Sequence, residues 1–219
     1  MATLHDVRKL FIKLSGREDL ATTTTTLHDT DAGADEYINA GQRYLDGLMD
    51  NPDSNRLYEV TTQSGTCYVD IPDGRSVQNV FVRTTEDEFQ KLYNRTLSFL
   101  LEEYPKFELT DVDFPTDYCL YPNRTQGRSL TIAILPPADD NYTVRIFGKF
   151  YSPWLTNNSD TSFWTNMYKM TLVHAALFML EGSYRNTEGA TDWRALVMES
   201  LGVMDKDVVE QEMPNDPII

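Results

Sequence analysis

Histidines, cysteines and carboxylates are the side chains of this sequence whose types could support chemistry. His5, His28 and His174 lie in separate segments, and none has a partner at the spacing of a metal motif such as HExxH or CxxC. His174 lies in the apolar run LVHAALF, where a hydrogen-bonded interior histidine is the more common arrangement. We therefore predict no metal site and no bound cofactor.

Motifs for nucleophilic catalysis and nucleotide binding do not occur either. The sequence contains no GxSxG turn, no GxxxxGK[ST] loop and no GxGxxG loop. Cys67 and Cys119 lie inside strand-like runs, where a free cysteine commonly packs as a small apolar side chain. We expect both cysteines to be buried, with no disulfide between them.

Paired carboxylates leave one catalytic alternative, because a glycan hydrolase needs only two acidic side chains across a cleft. With 34 Asp and Glu residues, such pairs arise by chance, and turns and helix ends are where solvated carboxylates belong. We therefore predict that the protein is not an enzyme and keep a hydrolase as the least favoured alternative. Its candidate residues are Asp70, Asp73, Glu102, Glu103, Asp111, Asp113, Asp139 and Asp140.

The overall charge also restricts the class of protein. A formal net charge of -15 argues against a general nucleic-acid binder, because phosphate contacts need clustered Lys and Arg. An apolar content of 41% is ordinary for a folded globular protein. The sequence has no apolar stretch of membrane-spanning length and does not begin like a signal peptide, so we expect a protein of cytosolic origin with no membrane span.

Hydrophobic periodicity predicts helices at both ends of the chain. The first helix follows Thr3 as N-cap, has Asp6 at the capping-box position and ends at Gly16. A polar, threonine-rich loop separates it from the second helix, and we favour a solvated linker there over an edge strand. Further helices are predicted over residues 34–50, 85–104, 160–185 and 191–204.

The middle of the chain changes to strand periodicity. Residues 57–83 read as a β-meander with turns at Ser64-Gly65 and Asp73-Gly74. Residues 129–155 read as a hairpin folded about a corner that contains Pro136 and Pro137. The first hairpin strand is apolar on both faces, which predicts packing on the meander together with contact to another subunit or protein.

The order of these elements is more informative than any single motif. Short motifs occur along the chain, namely Tyr37-Ile38-Asn39-Ala40, Ile71-Pro72-Asp73, Leu135-Pro136-Pro137-Ala138-Asp139, Tyr151-Ser152-Pro153 and Ala175-Ala176. In the order and spacing of these motifs the chain resembles, over residues 3–202, the head–tail adaptor (connector) proteins of tailed bacteriophages, of the podovirus-type phage-adaptor family. The helix predicted over residues 85–104 departs from that pattern, in which the corresponding elements are shorter.

The resemblance implies an α+β protein, in which a helical bundle from the N- and C-terminal helices carries an inserted antiparallel β-domain made of the meander and the hairpin. Residues 1–52 and 158–204 would form the ring-forming bundle. Residues 53–157 would form the β-rich domain that contains the helix near 85–104. Residues 205–219 would form an extended acidic C-terminal tail.

The resemblance also implies a function. Adaptors of this kind form rings, commonly of twelve subunits, beneath the portal, where they extend the DNA channel and give tail proteins an attachment platform. The chain would then be a structural virion protein of the head–tail junction, assembled in the host cytoplasm. Its partners would be the portal protein, tail, nozzle or fibre proteins and further copies of itself, while genomic DNA passes without specific binding. A tube or fibre-attachment protein is the alternative.

Two segments are candidate docking sites. The corner residues Pro136, Pro137, Asp139 and Asp140 would form the contact tip of the predicted hairpin. The tail combines acidic residues with two apolar ones, and such segments bind by becoming ordered on contact. The tail residues predicted to dock on the portal or on a neighbouring subunit are Pro214, Asn215, Asp216, Pro217, Ile218 and Ile219.

Overall fold

Residue contacts divide the chain into two units. A computed structural model describes residues 1–84, 88–104, 112–122 and 129–212. The helical unit comprises Met1–Asp53 and Ser152–Ile219, and the β unit comprises Ser54–Tyr151. The predicted α+β class is confirmed.

The described elements are as follows. The helices are α1 (Leu4–Ser15), α2 (Ala34–Leu48), α3 (Leu97–Glu103), α4 (Phe163–Met167), α5 (Lys169–Ser183) and α6 (Thr187–Glu212). The strands are β1 (Ala21–Thr22), β2 (Thr30–Asp31), β3 (Asn55–Thr61), β4 (Tyr68–Pro72), β5 (Gly74–Arg83), β6 (Phe89–Lys91), β7 (Tyr93–Asn94), β8 (Asp117–Tyr121), β9 (Ser129–Leu135) and β10 (Thr143–Phe150).

The start of the helical unit follows the sequence signals closely. Thr3 and Asp6 form the capping box of α1, and Gly16 ends the helix in the left-handed region at φ 67°. The threonine-rich segment is not only a linker, because β1 and β2 pair there as a short antiparallel ribbon in which Ala21 lies opposite Asp31. That pairing corrects the prediction of a plain loop.

The predicted helix over residues 160–185 is broken in two. The Ser162 hydroxyl caps α4, and Tyr168 adopts φ −136°, which no α-helix contains, before α5 begins. The Tyr168 ring packs against Phe163 and Trp164 with centroid separations of 5.5 and 6.5 Å. This aromatic contact accompanies the non-helical backbone that separates the two helices.

The predicted extended tail is helical over its first part, because α6 continues to Glu212. The sequence explains the extension. Leu201 and Met204 are buried, and Val208 continues the same spacing of three and four residues. The prediction that residues 205–212 are extended was therefore wrong.

The β unit is a sandwich of two four-stranded sheets rather than a meander with a hairpin. The strand orders are β3-β10-β5-β6 and β4-β9-β8-β7. Strand β4 leaves the sheet of its sequence neighbours, and β9 and β10 lie in different sheets. The two prolines between β9 and β10 lack the N–H groups that a continuing ladder needs, and Ala138 after them is buried. Both the meander and the hairpin predictions are thereby corrected.

The helix predicted over residues 85–104 was also wrong. Within its described residues, 88–104, only Leu97–Glu103 is helical, whereas Phe89–Lys91 pairs with β5 and Tyr93–Asn94 pairs with β8. Residues 85–87 lie outside the described part of the chain. Leu92, between the two short strands, is buried in the core that the sheets share, so tertiary packing overrides the local helical pattern.

Strand β9 shows why both of its faces are apolar. Ile132 and Ile134 lie in the core between the sheets. Ala133 and Leu135 lie in a second cluster, together with Leu100 of α3. The apolar residues of both faces are thus covered within the β unit, and the predicted contact to another chain is not needed to explain them.

Candidate functional site

A row of polar side chains runs along one face of α2 in the helical unit. Asn39, Gln42 and Asp46 are spaced by three and four residues, so they share that face. All three are at most 2% exposed, and the apolar Ile38 and Leu45 are buried beside them. Because buried polar groups are costly without partners, this row needs matching groups. It finds most of them in the segment that follows the β unit.

Asn39 and Gln42 hold this returning segment largely by its backbone. The Asn39 amide donates to the Leu155 carbonyl at 2.9 Å, and its oxygen accepts from the Leu155 N–H at 2.8 Å. The Gln42 amide donates to the Pro153 carbonyl at 2.8 Å, and its oxygen accepts from the Ser162 hydroxyl at 2.6 Å. These bonds fix the path of the chain as it leaves the β unit.

The Asp46 carboxylate receives four hydrogen bonds. The Ser152 N–H donates at 2.7 Å, the Ser152 hydroxyl at 2.9 Å, the Trp164 indole at 2.7 Å and the Asn51 amide at 3.1 Å. Within the described residues, Asp46 belongs to no ion pair. Charge-assisted hydrogen bonds from neutral donors therefore hold this buried charge in place.

Arg8 of α1 is a second buried anchor, 1% exposed. Its guanidinium forms a two-point ion pair with Asp35 at 2.8 and 2.6 Å. It also donates to the carbonyls of His28 and Asp29 at 3.2 and 3.1 Å and to the Asn158 side chain at 2.7 Å. Burial raises the pKa of Asp35, and Arg8 opposes that rise. Arg8 thereby ties α1 to α2, to the loop between these two helices and to the loop before α4.

The two loops that meet Arg8 are built alike. The Asp29 carboxylate accepts from the Thr25 hydroxyl at 2.6 Å and from the Thr25 N–H at 2.7 Å. The Asp160 carboxylate accepts from the N–H groups of Asn157 and Thr156, both at 2.8 Å. The Thr25 hydroxyl is the largest cause of a lowered pKa at Asp29, and the Asn157 N–H is the largest cause at Asp160. Both carboxylates are thus held ionised, as loop anchors.

Helix α2 packs closely on α5 at a glycine. A Cβ atom added to Gly41 would lie 2.6 Å from the backbone nitrogen of Ala176. The two helix backbones can approach this closely only where both residues are small. The motif residues Asn39, Ser152, Ala175 and Ala176 therefore belong to one packed arrangement in the helical unit.

Sequence reasoning missed Arg8, Gln42 and Asp46. Asp46 and Gln42 lie on the same face as the apolar residues of α2, and Arg8 directly follows Val7 on the buried face of α1. A polar residue at an apolar helical position was the available signal. Its interpretation required partners that lie far along the chain, because Asp35 is 27 positions from Arg8 and Ser152 is 106 positions from Asp46, and the spacing does not reveal them.

The predicted corner residues are divided by burial. Asp139 and Asp140 are exposed, Pro136 is half-buried and Pro137 is buried. The Tyr142 hydroxyl donates to Asp139 at 2.8 Å, and burial together with this bond raises the pKa of Tyr142 to about 12. The predicted tail residues Pro214, Asn215, Asp216, Pro217, Ile218 and Ile219 lie outside the described residues.

The described carboxylates considered for catalysis are spread over several elements: Asp70 lies on β4, Glu102 and Glu103 lie on α3, and Asp139 lies between β9 and β10. Among the described residues, no group of three or more His, Cys, Asp or Glu side chains could hold a metal ion. The thiols of Cys67 and Cys119 are buried in one cluster with no disulfide between them, and burial raises the pKa of Cys119. Asp113 and Asp139 meet through the backbone, where the Asp139 N–H donates to the Asp113 carbonyl at 3.2 Å. Asp111 lies outside the described part of the chain.

Exposed apolar side chains occur on both units. In the β unit, Leu57 and Phe147 are exposed and directly opposite each other on β3 and β10, and Phe147 contacts the Phe81 ring edge-on. In the helical unit, Leu196 and Val203 are exposed on α6, seven residues apart. No helix within the described ranges combines the length and the apolar character needed to cross a membrane.

Most of the chain matches a known protein family. The model of the SU10 adaptor protein family matches residues 10–217. The match runs through both parts of the helical unit and the whole β unit, and it reaches Pro217 of the predicted tail. No curated protein matches the sequence. The family match confirms the resemblance to phage adaptors.

Proposed function

Because this chain belongs to the SU10 adaptor protein family, we propose that it docks as a ring beneath the portal, extends the DNA channel and gives tail proteins their attachment platform. The family makes it a structural adaptor component of a bacteriophage particle. The observation that carries the proposal is the match along residues 10–217. Assembly takes place in the host cytoplasm, before the adaptor becomes part of the virion.

The helical unit forms the ring in this proposal. Arg8 and Asp46 tie its segments together from within, so it offers a defined surface to neighbours. The exposed Leu196 and Val203 share one face of α6, and a neighbouring subunit would cover them. We propose twelve subunits, as in the adaptors that the chain resembles.

The β unit and the tail make the contacts to other proteins. On the β unit, the exposed Leu57 and Phe147 offer apolar area, and the exposed Asp139 and Asp140 offer charge, to a tail, nozzle or fibre protein. The tail segment from Pro214 to Ile219 docks on the portal or on a neighbouring subunit. Its presence within the family match, as far as Pro217, supports a role in assembly.

The acidic charge suits a conduit for DNA. A net charge of -15 disfavours lasting contacts with phosphates, so genomic DNA would pass through the ring without specific binding. No membrane partner and no cofactor enter this proposal.

Electron microscopy of the purified protein mixed with the portal protein of the same phage tests the function. We expect a ring seated on the portal. The double variant Leu196→Glu/Val203→Glu should form no ring, whereas Glu199→Gln, which changes an exposed residue of the same helix, should behave as the wild type. A wild-type protein that remains monomeric in the presence of portal contradicts the proposal. Binding to isolated tail proteins without portal would instead favour a tube or fibre-attachment protein.

A further inference from the structure

The helical unit contains an apolar cleft between the C-terminal end of α2 and the middle of α6. Its lining residues are Leu48, Met49, Met198, Leu201 and Gly202, and its volume is about 290 Å³. Leu48 and Met198 are exposed, although both are large apolar side chains. The volume lies at the lower end of the range for small-molecule pockets, so the cleft suits one or two apolar side chains of a peptide.

A basic side chain marks one end of this cleft. Arg194 is exposed and lies one helical turn before Met198, on the same stripe of α6. Within the described residues it belongs to no ion pair. A ligand that fits has one acidic group followed, at a fixed distance, by apolar side chains.

The chain itself contains such a segment in Asp216-Pro217-Ile218-Ile219. Three extended steps from Asp216 to Ile219 span about 10 Å. The seven helical steps from Arg194 to Leu201 also span about 10 Å. With Asp216 beside Arg194, the segment therefore places Ile219 level with Leu201 and Ile218 within the cleft. Proline restricts the free segment, which reduces the entropy lost on binding.

The same subunit is poorly placed to supply this segment. Arg194 lies 18 positions before Glu212, where α6 ends, which corresponds to about 27 Å along the helix. Four extended residues carry Asp216 at most about 14 Å from Glu212. The arginine and aspartate side chains would have to be fully extended towards each other to bridge the remaining distance, and no residue would be left to reverse the chain direction after α6.

We propose that the cleft receives Asp216-Pro217-Ile218-Ile219 of a second copy of this chain, so that each subunit is fastened to its neighbour by the neighbour's tail. The inference rests on the proposed ring and specifies one of its contacts. It assigns the tail to a subunit rather than to the portal.

A charge exchange tests the polar end of the contact. Arg194→Asp and Asp216→Arg should each raise the protein concentration for half-maximal ring assembly by about tenfold or more, because each places like charges together. The double variant should return it to within about threefold of the wild type. If both single variants need a higher protein concentration for ring assembly and the double variant needs it as well, the pairing of Arg194 with Asp216 is overturned.

Crosslinking between separately purified variants tests the apolar end and the origin of the tail. Ile218→Cys is mixed with Leu48→Cys, or with Met170→Cys as a control, since Leu48 and Met170 are 44% and 45% exposed. Each mixture is assembled on portal and oxidised. Cys67 and Cys119 are buried, and a Leu48→Cys sample without Ile218→Cys gives their background.

We expect a band of twice the subunit mass for the Leu48 mixture and only background for the Met170 mixture. Equal bands, or no band in a ring that forms normally, would overturn the tail contact and leave the adaptor function intact. A wild-type protein that forms no ring on the portal would overturn both. Unchanged tryptophan fluorescence of each variant confirms that its helical unit is folded.

Discussion

The buried carboxylate of Asp46 offers the most direct test of how the helical unit is held together. Its Oδ1 atom accepts from the Ser152 hydroxyl, the Trp164 indole and the Asn51 amide, and its Oδ2 atom accepts from the Ser152 N–H. The two substitutions Asp46→Ala and Asp46→Asn remove different parts of this set. They should therefore lower the free energy of unfolding by different amounts.

The alanine variant leaves the Ser152 N–H, the Trp164 indole and the Asn51 amide without their acceptor. Each unsatisfied buried donor costs about 1–3 kcal/mol, and water entering the space left behind offsets part of the cost. We expect Asp46→Ala to lower the free energy of unfolding by about 3–5 kcal/mol. In the asparagine variant, an amide nitrogen at the Oδ2 position opposes only the Ser152 N–H, so the expected loss is about 1–3 kcal/mol.

Tryptophan fluorescence during urea unfolding measures this effect selectively. Trp154, Trp164 and Trp193 all belong to the helical unit, so the fluorescence transition reports on that unit. Circular dichroism follows the whole chain and shows whether the two units unfold separately. Glu36→Gln changes an exposed carboxylate on the same helix and should lower the free energy of unfolding by less than about 1 kcal/mol.

The ordering of the variants decides the outcome. The reasoning requires the alanine variant to be the least stable, the asparagine variant intermediate and Glu36→Gln closest to the wild type. Equal losses for alanine and asparagine would show that the charge, and not the individual hydrogen bonds, holds the segment. Losses no larger than that of Glu36→Gln would refute the role of Asp46 altogether.

Three further results are expected. The pKa of Asp29 is lowered in the folded protein, so its carboxylate stabilises the fold above the unfolded pKa of about 4, and this stabilisation is lost as the pH falls. In an acid titration, the stability of Asp29→Asn should therefore decrease less below a pH of about 4 than the stability of the wild type does. Gly41→Ala should lower the free energy of unfolding by about 1–3 kcal/mol, because the added Cβ would meet the α5 backbone. Gly47→Ala, with open space around the added Cβ, should raise the free energy of unfolding by up to about 1 kcal/mol. Urea unfolding of the two variants measures these changes. Arg8→Lys keeps the positive charge but loses the two-point pairing with Asp35. We expect it to lower the melting temperature much more than the control variant Lys9→Arg does.

Elements defined by neighbouring residues could be predicted from the sequence. Helix α1 is an example, because Thr3, Asp6 and Gly16 act within a few positions of the residues they cap. The sheets could not be assigned in this way. Asn55 pairs with Lys149 across the β unit, and no local signal distinguishes that partner from a nearer strand.

The positions of the buried polar residues on α2 could be predicted from the sequence, but their partners could not. The spacing of Gln42 and Asp46 is visible in the sequence, but their partners are Pro153, Ser152 and Trp164. A polar residue on an apolar helix face indicates that a partner exists without indicating which one. Some of the short motifs that carried the family resemblance are points at which distant segments meet, because Asn39 bonds to Leu155 and the Tyr151 N–H donates to the Asp73 carbonyl.

The first and last strands of the β unit, β3 and β10, are direct neighbours. They pair from Thr61 and Thr143 to Asn55 and Lys149, so the chain enters and leaves the sandwich about one strand spacing apart. An insertion with adjacent ends can be exchanged for another of different shape without rerouting the segments that carry it. The architecture is therefore that of a cassette, in which the inserted β unit can be replaced while the helical segments that flank it in the sequence are retained.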